Sequence, residues 1–194
     1  MSSTTQPTLE LKLVNHWIGG KTYDGPTERW GDVFNPATGE SNTRVCFATP
    51  EIVDEAVRSA TRAQKAWGSS SLAQRTRVMF AYRQLLQKHK VEMAAMITRE
   101  HGKVAADALG EVTRGLEVVE FACGLPQLLK GEFSEQVSTD VDSYSIRQPI
   151  GVVAGITPFN FPAMVPMWMY PIAIACGNAF ILKPSEKDPS AANF

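Results

Sequence analysis

Two proline-punctuated loops hold the side chains best placed for chemistry. Thr157-Pro-Phe-Asn-Phe-Pro162 offers a hydroxyl and an uncharged amide, while Lys183-Pro-Ser-Glu-Lys-Asp-Pro189 offers ammonium groups, carboxylates and a hydroxyl. Each loop follows an apolar run that reads as a strand. The carboxyl ends of parallel strands are where open α/β sheets receive ligands. On their residues alone, the first reading of both loops is as plain turns. No G-x-G-x-x-G and no G-x-x-x-x-G-K-[ST] occurs in the chain, so the common glycine-rich phosphate cradles are absent. Thiols are the other reactive groups. Cys123 falls on an apolar helical stripe, Cys176 ends a helix at Ala175-Cys-Gly, and Cys46 sits in a strand pattern. All three read as buried structural thiols. His16, His89 and His101 are not paired at metal-ligand spacing, and His89 falls on a core stripe, which argues against zinc.

The elements that must position these loops are legible in the spacing. Residues 13 to 47 alternate short apolar runs with turn signals, including Gly19-Gly20, and read as a small antiparallel β unit. Thr49-Pro50-Glu51 opens a first helix with the stripe Val53, Ala56, Val57, Ala60, Ala63 and Trp67, ended by Gly68. Ser71-x-x-Gln74 opens a second, whose stripe is Val78, Tyr82, Leu85, His89, Met93 and Met96, stopping near Gly102. A third runs from Ala105 to about Phe121 along Leu109, Val112, Leu116, Val119 and Cys123, closed by Gly124 and Pro126. Gly131 to Asp142 is polar and acidic and reads as a connection, and Asp142 to Gln148 alternates as an exposed strand. Gly151–Ile156 and Asn178–Lys183 read as parallel strands buried on both faces, joined by a helix over 162–176 that contains Pro166 and Pro171. This is one βαβ unit. Its strands need further parallel neighbours, so the expectation is a sheet cut off within a domain.

Composition narrows the function classes. The 194 residues carry 19 Lys plus Arg against 20 Asp plus Glu, a net charge of −1, with 44% hydrophobic residues. That is globular and offers no basic patch for nucleic acid or an anionic membrane. Three cysteines do not make a disulfide framework and suit a reducing compartment. The start Met1-Ser-Ser-Thr-Thr-Gln-Pro shows no secretory pattern, and no apolar run reaches the roughly 18 residues of a membrane span. The expected location is cytoplasmic.

Taken together, several motifs resemble the aldehyde dehydrogenase superfamily. They are Phe34-Asn-Pro-Ala-Thr-Gly39, Arg147-Gln-Pro-Ile-Gly-Val152, Gly155-Ile-Thr-Pro-Phe-Asn-Phe-Pro162 and Lys183-Pro-Ser-Glu. The longer wording from Ile156 to Pro171 and from Lys183 to Pro189 is similar to the methylmalonate-semialdehyde dehydrogenase branch, which acylates coenzyme A. The resemblance runs from about Leu11 to Phe194. It implies an α/β, aldehyde dehydrogenase-like fold: an N-terminal helical and β region plus the first βαβ unit of a Rossmann-like cofactor domain. The organisation it implies is a disordered N-terminus over 1–12, a β and helical part of the cofactor domain over 13–141, a bridging or oligomerisation strand over 142–150, and the start of the NAD-binding core over 151–194.

The same resemblance assigns roles. Asn160 matches the family residue whose amide stabilises the oxyanion formed when a thiolate attacks the aldehyde. A neutral donor suits that task because it needs no pKa tuning. Lys183 and Glu186 match positions that hold the adenosine ribose of NAD, and a carboxylate there can accept from both ribose hydroxyls. Thr157 and Phe159 match the lining of the cofactor cleft, and Lys187 lies beside the adenine. The implied reaction is NAD-dependent oxidation of a small semialdehyde to propionyl-CoA or acetyl-CoA by a homo-oligomer, dimer or tetramer, with no metal. A hydrolytic enzyme of the same fold is the nearest alternative. A non-catalytic interaction module is the alternative of another class, because the nucleophilic cysteine is not among the three present.

Overall fold

The computed structural model describes residues 12–194. The expected frayed segment 1–12 therefore lies outside the described residues except for Lys12, which opens β1. The N-terminal part is a three-stranded sheet of β1 (Lys12–Val14), β5 (Ser41–Cys46) and β4 (Trp30–Phe34), in that order, around Val14, Val33 and Val45. The expected antiparallel unit needs correction. β4 and β5 are antiparallel, but β1 lies parallel to β5. Between β1 and β4 the hairpin of β2 (Trp17–Ile18) and β3 (Lys21–Thr22) turns on Gly19 and Gly20, both at positive φ as a two-residue turn requires.

Three helices follow as expected, with different faces buried. α1 (Pro50–Gly68) opens on Thr49 and Pro50, but Val53 and Val57 are exposed and Ile52 is its buried residue. α2 (Leu72–His101) is capped by the Ser71 side chain, which accepts from Gln74 N, and ends at Gly102 in the left-handed conformation. Its core face is Met79, Leu86, Met93 and Ile97, while Val78 and Leu85 point outward and His89 pairs with Glu92 at the surface. Met93, Tyr82 and Met96 of the expected stripe do pack on the core, and the pattern misses at Val78, Leu85 and His89 because apolar side chains occur on both flanks. α3 (Ala105–Cys123) packs Ala108, Val112, Leu116 and Val119 against α2. Gly124 and Pro126 lead into the short α4 (Leu125–Leu128).

The segment expected to be a connection, 131 to 142, is instead half of a hairpin. β6 (Phe133–Ser138) pairs with β7 (Val141–Tyr144), and every residue of both strands is exposed. The strand expected over 142–148 is thus replaced by one ending at Tyr144. An alternating polar pattern on one strand conceals its partner when neither face is buried.

The βαβ unit forms as read. β8 (Val152–Ile156) and β9 (Ala179–Lys183) are parallel, in register from Val152↔Ala179 to Ile156↔Lys183, with α5 (Met164–Ala175) between them. The strands are only half-buried and Ile156 is 78% exposed. Burial on both faces is therefore not observed: each strand of this two-stranded sheet keeps an open edge. α5 lies close on α3 at Gly115, where a Cβ would meet Met167 Sδ at 2.8 Å. Both of its ends are held by charged side chains of other helices. Glu111 accepts from the amides of Ala163 and Met164 at the amino end, and Arg75 donates to Ala175 O at the carboxyl end. These are the signs the helix dipole favours.

Candidate active site

The parallel register puts the two chemistry-bearing loops side by side. Thr157 N donates to Lys183 O at 3.1 Å, continuing the ladder one step past the strands. Thr157 is buried with its hydroxyl unpartnered, whereas Phe159 is half exposed and has two neighbours. The His101 ring stacks on one side, centroids 6.4 Å apart and planes at 27°, and Lys187 Nζ lies 4.3 Å from the Phe159 centroid. Lys183 Nζ donates to Glu186 Oε2 at 2.7 Å, both side chains being about half exposed. That ammonium holds the Glu186 carboxyl below the usual carboxylate range. The structure thus brings Phe159, Lys183, Glu186 and Lys187 together on a rim at one end of the sheet, with Thr157 buried beside them. Asn160 follows Phe159 with its side chain exposed, and its main-chain O accepts from Lys103 Nζ at 2.7 Å.

Beneath this rim lie charged groups that the spacing did not reveal. Glu111 is 0% exposed. One carboxylate oxygen caps α5 through Ala163 N (2.9 Å) and Met164 N (3.2 Å), and the other pairs with Lys103. Lys103 Nζ also sits 3.9 Å from the Phe161 ring centroid, a cation–π contact. Glu100, also buried, accepts from Ser190 N at 3.0 Å. Asp188 is 2% exposed and its carboxyl pKa is raised to about 7, chiefly by burial, with Glu100 and Glu111 adding and Ser185 and Lys103 opposing. One signal could have exposed Glu111: it occupies a core position of the series 108, 111, 112, 115, 116, 119, where a carboxylate needs a buried partner.

Other features compete poorly for chemistry. The groove lined by Trp67, Gln74, Val78, Ile174 and Phe180 lies at the amino end of β9 and contains no titratable side chain. The thiols are placed as structural groups. Cys46 is buried and donates to Asn15 Oδ1 at 3.2 Å, while Cys123 and Cys176 belong with the cluster around Met79 and Ala175. Burial pushes all three upward, away from the reactive thiolate. Among the described residues, no three His, Cys, Asp or Glu side chains converge as a metal site, and no helix is long and apolar enough to cross a membrane.

The sequence matches the aldehyde dehydrogenase family over residues 23–194. The chain belongs to that family. Malonate-semialdehyde dehydrogenase of Pseudomonas aeruginosa is 50% identical over 181 residues, covering 93% of this chain and 36% of that protein. The Dictyostelium discoideum protein named probable methylmalonate-semialdehyde/malonate-semialdehyde dehydrogenase (acylating) is 51% identical, covering 92% of this chain and 34% of the relative. A crystal structure from Sinorhizobium meliloti, assigned as a methylmalonate-semialdehyde dehydrogenase and complexed with NAD, superposes with a TM-score of 0.91 at 51% identity, covering 93% of this chain and 37% of that one. The chain therefore spans a little over a third of these relatives' lengths. Within that span its architecture is the corresponding part of the aldehyde dehydrogenase fold, as the motifs implied.

Proposed function

We propose that these residues supply the adenosine side of an NAD site and the oxyanion donor of a coenzyme A-acylating dehydrogenase of malonate or methylmalonate semialdehyde. One observation carries this reading: the parallel register Ile156↔Lys183 sets the Asn160 loop and the Lys183–Glu186 pair at the same end of one βαβ unit. The groups on the rim suit a dinucleotide. Glu186, kept ionised by Lys183, can accept from ribose hydroxyls, and the half-exposed Phe159 ring offers an apolar surface beside it. NAD, when bound, accepts the hydride that leaves the aldehyde carbon. Asn160 would donate its side-chain amide to the oxygen that gains charge in that reaction. Phe159, with His101 and Lys187 as neighbours, would form a fixed wall beside it.

The specificity for a coenzyme A acceptor rests on the named relatives. It is tested by following NADH formation by the full-length protein from either semialdehyde. Turnover that depends on coenzyme A is expected, and a rate unchanged when coenzyme A is omitted would overturn the acylating assignment in favour of hydrolysis. The 194-residue chain alone is expected to give no NADH, because each of its thiols is buried or packed away from the Asn160 loop. The proposed setting is the cytoplasm. The proposed assembly is a homo-oligomer that covers the exposed β6–β7 hairpin, including Phe133 and Tyr144.

A further inference from the structure

The backbone around Asn160 is clamped by groups distant in sequence. Gly102, at a φ of 86°, turns the chain out of α2 so that Lys103 leaves from the middle of the three-residue link before α3. Lys103 then reaches three partners: the Glu111 carboxylate, the Asn160 carbonyl and the Phe161 ring. Glu111 in turn grips the amides of Ala163 and Met164, where the N-cap residue Ala163 offers no side-chain acceptor of its own. Thr157 N is fixed to Lys183 O at the other end of the loop. Residues 157 to 164 are therefore held before, at and after Asn160. No hydrogen bond among the described residues engages the Asn160 side-chain amide, which is left exposed.

Such a clamp caps α5 and also fixes the main chain that carries Asn160. A preorganised donor must meet the oxyanion within about half an ångström, and a misplacement of about 1 Å costs on the order of a hundredfold in rate. We infer that Lys103 and Glu111 are positioning residues for the oxyanion donor: their buried ion pair fixes the main chain of Asn160 and so aims its amide. This rests on the role given to Asn160 above.

The test is a double-mutant cycle on kcat in the full-length protein. Lys103→Met is expected to lower kcat about 10- to 100-fold with KM for the semialdehyde changed less than about threefold. Lys103→Arg, which keeps the charge and a donor, should recover most of the loss. In an Asn160→Ala background, Lys103→Met should cost less than about threefold more, because the group it aims is already gone. Losses that simply multiply would overturn the inference and leave the Asn160 role intact. If Asn160→Ala itself leaves kcat unchanged, the functional reading fails instead, and the two failures are distinguishable. Should Lys103→Met not fold, Glu111→Gln completes the same cycle: it keeps the acceptor for Ala163 and Met164 but removes the ion pair, and the same non-additivity is required of it.

Discussion

The Asn160 loop and the β6–β7 hairpin are both solvent-facing, yet they are held in opposite ways. The hairpin relies on local bonds. Ser145 N donates to Glu132 O, Glu132 N to Ser145 Oγ, and Gln136 N to Asp142 Oδ1, all within fourteen consecutive residues. The loop is secured by Lys103 and Glu111, about fifty residues away, through an ion pair with one member wholly buried. Burying charge carries a desolvation cost that is offset only by good geometry and complete hydrogen bonding. Accepting that cost around one loop and avoiding it around another is what the proposed aiming of Asn160 requires. The hairpin, with exposed apolar side chains and locally satisfied backbone, needs only to be present for something to cover it.

The largest effect should come from breaking the buried clamp. Glu111→Ala leaves the Lys103 ammonium without its carboxylate and the first amides of α5 without an acceptor. Removing one partner of a buried pair costs about 3–5 kcal/mol, which urea unfolding would register as a clear loss of midpoint. A loss below about 1 kcal/mol would show that the pair behaves as an ordinary surface salt bridge, and the contrast between the two regions would collapse.

A second test titrates the same buried layer. The Asp188 carboxyl is raised from its ordinary 3.8 to about 7, and Glu100, Glu111, Lys103 and Ser185 are the groups that face it. The folded chain then holds this proton more tightly than the unfolded chain. Its contribution to stability is full below about pH 4, declines as pH rises toward 7, and changes little beyond. Asp188→Asn should remove that decline, so the unfolding midpoints of variant and parent should diverge as pH rises from 5 to 8. Parallel pH profiles would mean that Asp188 titrates normally.

This buried layer is also where reading the sequence failed. The parallel βαβ unit, the Ser71 cap and the Gly102 stop followed from local rules, because capping, turn geometry and strand direction are set by near neighbours, whereas Thr157, Phe159, Lys183, Glu186 and Lys187 were singled out only by the family resemblance. Partner choice is not local. Nothing in Lys12–Val14 specifies that it lies parallel to β5, and nothing in Phe133–Ser138 announces β7. Glu111, Glu100 and Arg75 are charged residues on helices whose buried partners lie 52, 90 and 100 residues away, beyond the reach of any local pattern. The two loops at the strand ends were therefore legible, and the buried groups beneath them were not.

A smaller effect is expected on the exposed rim. Glu186→Ala should weaken NAD binding to the full-length protein about tenfold, the equivalent of about 1.4 kcal/mol, by removing a charged acceptor from the ribose. It should leave the unfolding midpoint nearly unchanged, since its bond to Lys183 is an exposed pair of the kind that contributes little. Calorimetric titration alongside thermal melting checks both halves. Unchanged NAD affinity would move the ribose contact elsewhere.

The smallest stability effect should fall on the hairpin. Phe133 stands directly opposite Tyr144, and both are exposed, at 66% and 75%. Phe133→Ser removes one aromatic cross-strand pair, an interaction contributing about 0.2–1 kcal/mol, and creates no cavity because the ring is not enclosed. The unfolding free energy should therefore shift by no more than about 1 kcal/mol, well below the Glu111 effect. The same substitution should weaken subunit association, since the exposed ring is the kind of apolar surface an assembled protein covers. Sedimentation across a concentration series separates the two outcomes. A variant that unfolds readily as a monomer would mean that the hairpin braces the fold. One that stays folded but dissociates would confirm that this region is built to be met, while the Asn160 loop is built to aim.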